Sequence, residues 1–202
     1  MDKDRLYEPK DRLHEPKDRL YEPVLKRKTL YSGSYLRLEK LEVRLPDNRT
    51  AEREIVRVND AVAVLPIDSR GAAHLVRQSR PAIDRVLLEI PAGVLDEGES
   101  PEQAAVRECE EEIGLKPGRL IPLFTYAHAE GYSTGMITLY IGLELEPAGP
   151  AELDSTEFLE RTTIPFEELA ERVKRNEIRD SKTIITTLLW MRLARNPDWL
   201  DF

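Results

Sequence analysis

The run from Ser100 to Gly114 limits the fold more than any other stretch of the chain. Ser100 is an N-cap residue, and Pro101 takes the first helical position, where its missing N–H is no loss. Gln103 completes a capping box. The predicted helix runs to Ile113 and stops at Gly114, which tolerates the left-handed backbone a helix end needs. At about 100° per residue, Ala105, Val106, Cys109 and Ile113 form one apolar stripe, so the helix must pack on something.

What surrounds it is strand-like. Apolar and polar residues alternate over much of Thr29–Arg44, as in Tyr35-Leu36-Arg37-Leu38-Glu39. Pro46-Asp47-Asn48 predicts a hairpin tip, and Arg53–Val58 reads as the return strand. A second sheet is expected to start at Ala61–Ile67. Asp68–Gly71 reads as a turn, with Ala73–Gln78 as the partner strand. Further strands are expected at Val86–Ile90, Leu120–Tyr126, Ile137–Leu145 and Phe158–Ile164, with a loop at Pro147–Pro150. Phe166–Lys174 and Ser181–Arg195 have helical periodicity. Strands, one helix, strands and then two helices make an α+β layered domain with a mixed sheet.

Composition excludes several classes. The chain has 202 residues, 41% hydrophobic and 34% charged, which suits one domain plus a small appendage. Its 30 basic and 38 acidic residues give a net charge of −8, which argues against a nucleic-acid backbone as partner. Cys109 stands alone, so no intrachain disulfide forms and a reducing, cytoplasmic setting is expected. No apolar run approaches the roughly 18–20 residues of a membrane span, and from the charged start no signal peptide is expected. A repeat opens the chain: Asp4–Lys10 recurs as Asp11–Lys17 and Asp18–Val24. Its seven-residue period imitates a coiled coil, but a proline in every copy breaks any helix. Residues 1–24 are expected to be an extended, disordered tail whose last copy merges into the first strand.

Glu108, Glu111 and Glu112 fall together on one flank of the predicted helix. At i, i+3 and i+4 their Cβ atoms lie about 5–6 Å apart, and each like-charged pair costs roughly 0.2–0.5 kcal/mol. Taken alone, the cluster reads either as a solvated acidic face or as carboxylates used together. Oxygen ligands in a cluster suit Mg²⁺ or Mn²⁺ rather than zinc. The three histidines, His14, His74 and His128, are too scattered to make a zinc constellation.

The wider string decides between the two. Gly93, Glu99, Arg107, Glu108, Cys109, Glu111, Glu112, Gly114 and Leu115 fill the pattern G-x5-E-x7-R-E-U-x-E-E-x-G-U, where U is a bulky aliphatic. This resembles the Nudix box, the signature of Nudix hydrolases. Cys109 departs from the aliphatic but is itself a small hydrophobe. The resemblance implies a Nudix α/β/α sandwich and a hydrolase that cleaves a diphosphate. It implies that Glu108, Glu111, Glu112 and the Ala92 carbonyl bind divalent metal, that Glu111 helps activate water, and that Arg107 and Glu99 pair to hold the loop.

Outside the box, Val76–Arg80, Leu88–Gly93 and Ile178–Thr183 resemble the ADP-ribose pyrophosphatase branch. So does the antiparallel β segment, residues 25–57, which in that branch helps form a homodimer. Residues 58–202 would then be the hydrolase domain. The branch implies a nucleoside diphosphate sugar as substrate, contacted by Arg53, Glu54 and Arg80. Glu157 matches a late glutamate expected to bind metal or act as base, while Ser155 stands where a second acidic residue is usual. In the turn after the box, Glu130 replaces the proline that marks ADP-ribose hydrolases. Tyr132 beside it is a candidate for stacking on a base or sugar. GDP- and UDP-hexoses are therefore alternative substrates, and a non-catalytic nucleotide sensor is the alternative of another class.

Overall fold

Continuous apolar runs such as Ala61–Ile67 need partners on both edges and cover on both faces. The computed structural model describes residues 18–149 and 158–195. Its elements in chain order are β1 (Val24–Ser32), β2 (Arg37–Arg44), β3 (Thr50–Arg57), β4 (Ala61–Pro66), β5 (Ala72–Arg80), β6 (Arg85–Glu89), β7 (Ala92–Val94), α1 (Pro101–Ile113), β8 (Leu115–Ala127), β9 (Met136–Pro147), β10 (Leu159–Pro165), α2 (Phe166–Lys174) and α3 (Ser181–Arg195). A 3-10 turn, Pro81–Ile83, joins β5 to β6. The described residues divide into two compact units, one comprising residues 18–58 and 131–134, the other the remainder.

The first unit is the antiparallel sheet β1-β2-β3. The expected run Thr29–Arg44 is in fact two strands, because the chain turns at Gly33, whose N–H donates to the Leu36 carbonyl. The first two repeat copies lie outside the described residues. The third opens with a turn, in which the Leu20 N–H donates to Asp18 Oδ1 at 2.8 Å, and ends on Val24, the first residue of β1. Residues 132–134 lie along β3: Val56 N–H donates to the Tyr132 carbonyl, and Thr134 N–H donates to the Val56 carbonyl.

The second unit holds two sheets, β10-β5-β6 and β7-β4-β9-β8. β4 runs parallel to β9, in register from Ala61↔Ile137 to Pro66↔Gly142, and the other pairings are antiparallel, so the second sheet is mixed. Strand alternation splits the core in two. Ala63, Leu65, Ile67, Leu75, Leu139 and Ile141 face one layer with Leu169 and Ile178. Val62, Val64, Val76 and Tyr140 face the other, with Ala104, Ala105, Cys109 and Ile113 of α1. Helices on both faces of the sheets make the expected α/β/α sandwich.

Two local expectations change. Ala73–Gln78 is not the ladder partner of Ala61–Ile67. The Asp68–Gly71 turn forms, with Asp68 Oδ1 accepting from the N–H groups of Arg70 and Ala72, but only the bridge Ile67↔Ala73 links the two strands. A strand buried on both faces sits inside its sheet, and its neighbours here are the distant β7 and β9. On α1 the buried stripe includes Ala104, while Val106 is only partly buried.

Candidate active site

Capping holds α1 in place. Ser100 Oγ accepts from Gln103 N–H at 3.3 Å, and Gln103 Oε1 accepts from Ser100 N–H at 2.9 Å. Gly114 ends the helix with φ +69°, where a side chain would be strained. Arg161 Nε donates to the Glu112 carbonyl at 2.9 Å, so a cation sits in the last turn, where the helix dipole favours one.

The acidic flank of this helix is not a solvated face. Glu108 and Glu112 are buried, at 8% and 4% exposure, on the same side as Ala104, Ala105 and Cys109, while Glu111 is partly exposed beside them. Buried carboxylates cost several kcal/mol unless charge or hydrogen bonds compensate them. Arg107 supplies much of the compensation. Its Nε and one terminal nitrogen fork onto Glu99 at 2.9 and 3.0 Å; the other terminal nitrogen reaches Glu108 Oε1 at 2.6 Å and Glu111 Oε2 at 2.9 Å. It also donates to the Val94 carbonyl at 3.1 Å, tying the helix to β7. The hydrogen bond to Glu99 outweighs burial and holds the guanidinium's pKa well above its ordinary value. The same bond, against a smaller effect of burial, lowers the Glu99 carboxyl, and its Oε2 accepts from Asp96 N–H as well.

β7 brings the remaining box residues to this flank. Gly93 pairs with Val62 of β4, and Ala92 N–H donates to Glu112 Oε2 at 3.3 Å. A Cβ at Gly93 would lie 1.9 Å from Glu108 Oε1, so a side chain there would have to push that carboxylate aside. Burial pushes the Cys109 thiol well above its ordinary pKa, with Glu112, Glu108 and Glu110 adding to it, so this cysteine packs and does not react.

The arrangement concentrates negative charge around oxygen donors: one guanidinium serves Glu99, Glu108 and Glu111, with Glu112 alongside. That donor set fits a hard divalent cation. As placed, no three His, Cys, Asp or Glu side chains among the described residues converge to hold a metal ion. The fit therefore rests on the charge and chemistry of the donors. Glu157 and Ser155 lie outside the described residues.

Of the other predicted contacts, Arg80 belongs to the second unit and Arg53, Glu54 and Tyr132 to the first. Arg80 is partly exposed and forks onto buried Glu89, with both bonds at 2.7 Å. Arg53 on β3 pairs with Glu22 at 2.8 Å. Glu54 is exposed and, one residue along the strand, faces the opposite side of the sheet from Arg53. Tyr132 is 58% exposed, so it is no core aromatic.

Sequence reasoning quoted the Leu88–Gly93 and Ile178–Thr183 stretches but gave Glu89 and Lys182 no role. Lys182 Nζ reaches Glu89 Oε2 at 3.2 Å and Asp180 Oδ1 at 2.6 Å. Asp180 Oδ2 accepts from the N–H and the hydroxyl of Thr183, and Thr183 Oγ1 accepts from Ile90 N–H. Burial raises the Glu89 pKa, but Arg80 and Lys182 outweigh it, and the net shift is downward. The signal was a lone glutamate in the apolar run Val86–Ile90, since a buried charge needs a cation.

Comparison with known proteins agrees with this geometry. The NUDIX domain model matches residues 57–186. A methanol dehydrogenase activator of Bacillus methanolicus is 35% identical over 162 residues, covering 80% of this chain and 88% of that protein. An ADP-ribose pyrophosphatase of Bacillus subtilis is 33% identical over 160 residues, covering 79% and 86%. A crystal structure of an ADP compounds hydrolase superposes with a TM-score of 0.78 at 20% identity, covering 87% of this chain and 95% of that one. With its box residues gathered by one capped helix and the adjoining β7, and these relatives along most of its length, the chain belongs to the NUDIX family, in the pyrophosphohydrolase branch that includes the ADP-ribose pyrophosphatases.

Proposed function

We propose that the chain hydrolyses the diphosphate bond of ADP-ribose or a related nucleoside diphosphate sugar, giving a nucleoside monophosphate and a sugar phosphate. The observation that carries this reading is the burial of Glu108 and Glu112 against Ala92-Gly93, with Glu111 beside them and one guanidinium shared among the acids. The relative from Bacillus subtilis supports the substrate class. All three box carboxylates are present, which disfavours a non-catalytic nucleotide sensor.

In this reading Glu108, Glu111, Glu112 and the Ala92 carbonyl hold Mg²⁺, with Mn²⁺ able to substitute, and Glu157 adds a further ligand. Bound metal offsets the diphosphate's charge and lowers the pKa of a bound water. The chain's residues supply position. Arg107 fixes the loop through Glu99 and the Val94 carbonyl, and it holds the Glu108 and Glu111 carboxylates in place. Glu111 Oε or Glu157 Oε takes the proton from the attacking water. Arg53, Glu54, Arg80 and Tyr132 recognise the nucleotide and sugar. Residues 1–24 are a tail, 25–57 a dimerisation segment that makes a homodimer, and 58–202 the hydrolase domain. No helix among the described residues is long and apolar enough to cross a membrane, and we place the protein in the cytoplasm.

Glu130, standing where ADP-ribose hydrolases carry proline, favours a second reading in which GDP- or UDP-hexoses are the better substrates. Phosphate-ester release from ADP-ribose, GDP-mannose and UDP-glucose with Mg²⁺ and with Mn²⁺ tests both, with Glu112→Gln as the inactive control. If ADP-ribose survives while a hexose nucleotide turns over, the second reading holds. If none turns over, the hydrolase proposal fails.

A further inference from the structure

The first unit contains an imbalance of charge that the hydrolase chemistry does not use. In an antiparallel sheet, paired residues share a face and successive residues alternate. The register sets Thr29, Glu39 and Ile55 in one row of β1-β2-β3. The row on one side holds Ser32, Arg37 and Arg57; the row on the other holds Arg27, Leu41 and Arg53. Glu39 is therefore the carboxylate in the middle of a face that carries four arginines.

Arg53 has its own partner in Glu22. The other three converge on Glu39, which is 2% exposed. Arg57 Nε donates to Glu39 Oε2 at 3.0 Å; Arg27 Nε stands 3.5 Å from the same oxygen, and Arg37 lies 4.0 Å from Oε1. None of the three has another partner among the described residues. Arg37 and Arg57 are direct cross-strand neighbours, and like charges so placed are destabilising. One carboxylate cannot neutralise three guanidiniums, and each guanidinium carries five N–H donors. Most of those donors are unspent, on a chain whose overall charge is −8.

We propose that the sheet face bearing Arg27, Arg37 and Arg57 binds a phosphoryl anion, with Glu39 as an internal anion that competes for the same donors. Planar guanidiniums pair with phosphate oxygens in a two-pronged fashion, which a scattered lysine patch does not. A doubly charged phosphoryl group balances the two excess positive charges. Its source is either a nucleotide or a free diphosphate. The proposal does not depend on the hydrolase reading, since it requires neither metal nor turnover.

The test is calorimetric titration of the full chain in EDTA with inorganic pyrophosphate and, separately, with AMP. Wild type is expected to bind at least one of them. Arg27→Gln, a change at a half-exposed side chain, is expected to weaken that binding roughly tenfold. Glu39→Gln is expected to tighten it, which a purely structural ion pair does not predict. Lys26→Gln, a cation paired instead with Glu42, is expected to leave it unchanged. Tighter binding of AMP identifies a nucleotide as the source, and tighter binding of pyrophosphate a free diphosphate; both support the site. Should Glu39→Gln fail to fold, Arg27→Gln decides alone. The absence of binding to wild type, or equal affinity in wild type and Arg27→Gln, overturns the proposal.

Discussion

The Glu108 carboxylate lies directly over the Cα of Gly93, so that a Cβ there would sit 1.9 Å from Oε1 and 2.1 Å from Cδ. Gly93→Ala therefore forces the carboxylate aside. A glutamate tip can swing, so the expected stability loss is modest, about 1 kcal/mol, at the low end for overpacking. The expected loss of hydrolysis is about a hundredfold or more, because a misplaced ligand or charge at the reacting centre costs far more than its packing. Thermal melts and turnover on the same sample separate the two. Activity within a factor of two of wild type would remove Glu108 from the site.

Arg107 is shared by Glu99, Glu108 and Glu111. Arg107→Ala leaves these acids to repel one another, with the guanidinium's bond to the Val94 carbonyl lost as well. The side chain is about a quarter exposed (26%), so the expected cost is below that of a fully buried pair, about 2–3 kcal/mol. The variant should regain part of this stability as salt is added and the repulsion among these acids is screened. Wild type should show no such gain. Denaturant melts of both proteins across a salt series check the difference, and parallel curves would count against the shared-cation account.

How far the sequence could carry the reading depended on distance along the chain. α1 was legible to its ends, because Ser100, Pro101, Gln103 and Gly114 each act within one turn of the helix they bound. Arg107, Glu108, Cys109, Glu111 and Glu112 were legible for the same reason, as their spacing on one helix is their geometry. The parallel pairing of β4 with β9 was not, since nothing local to Ala61–Pro66 names a partner over seventy residues away. The fork of Arg80 onto Glu89 and the link to Lys182 were hidden likewise, because β5, β6 and α3 meet only through the tertiary fold. The opposed directions of Arg53 and Glu54 follow from strand period alone and were available from the start.

Acid lability should follow from two carboxylates. Glu89 and Glu99 both have folded pKa values below their ordinary value of 4.5. At Glu89 burial opposes the shift, and the Arg80 fork with Lys182 overcomes it; at Glu99 the Arg107 fork dominates. The unfolded chain thus takes up these protons more readily than the folded one. Their contribution is complete above pH 4.5 and is lost as the pH falls through the lower folded values. Melting temperature should be flat with respect to these groups from neutral pH down to about 5 and drop below that. Glu99→Gln should flatten part of the drop while lowering stability at neutral pH. An unchanged slope in that variant would show that the acid transition lies elsewhere.

Metal should act on stability as well as on turnover, because a ligand that binds only the folded state stabilises it by mass action. At a hundredfold excess of Mg²⁺ over its dissociation constant the expected gain is about 2.7 kcal/mol, or roughly 5–10 °C in melting temperature for a chain of this size. The gain should shrink sharply in Glu112→Gln, which keeps the shape of the side chain and its bond from Ala92 N–H but removes the charge. Lys26→Gln, a surface change on β1, should show the full gain. Removal of metal with EDTA should return wild type to its starting melting temperature. The comparison is free of any assumption about substrate, so it isolates the carboxylate cluster itself. A melting temperature indifferent to Mg²⁺, or a gain that survives intact in Glu112→Gln, would mean that the buried acids of α1 are not the cation site.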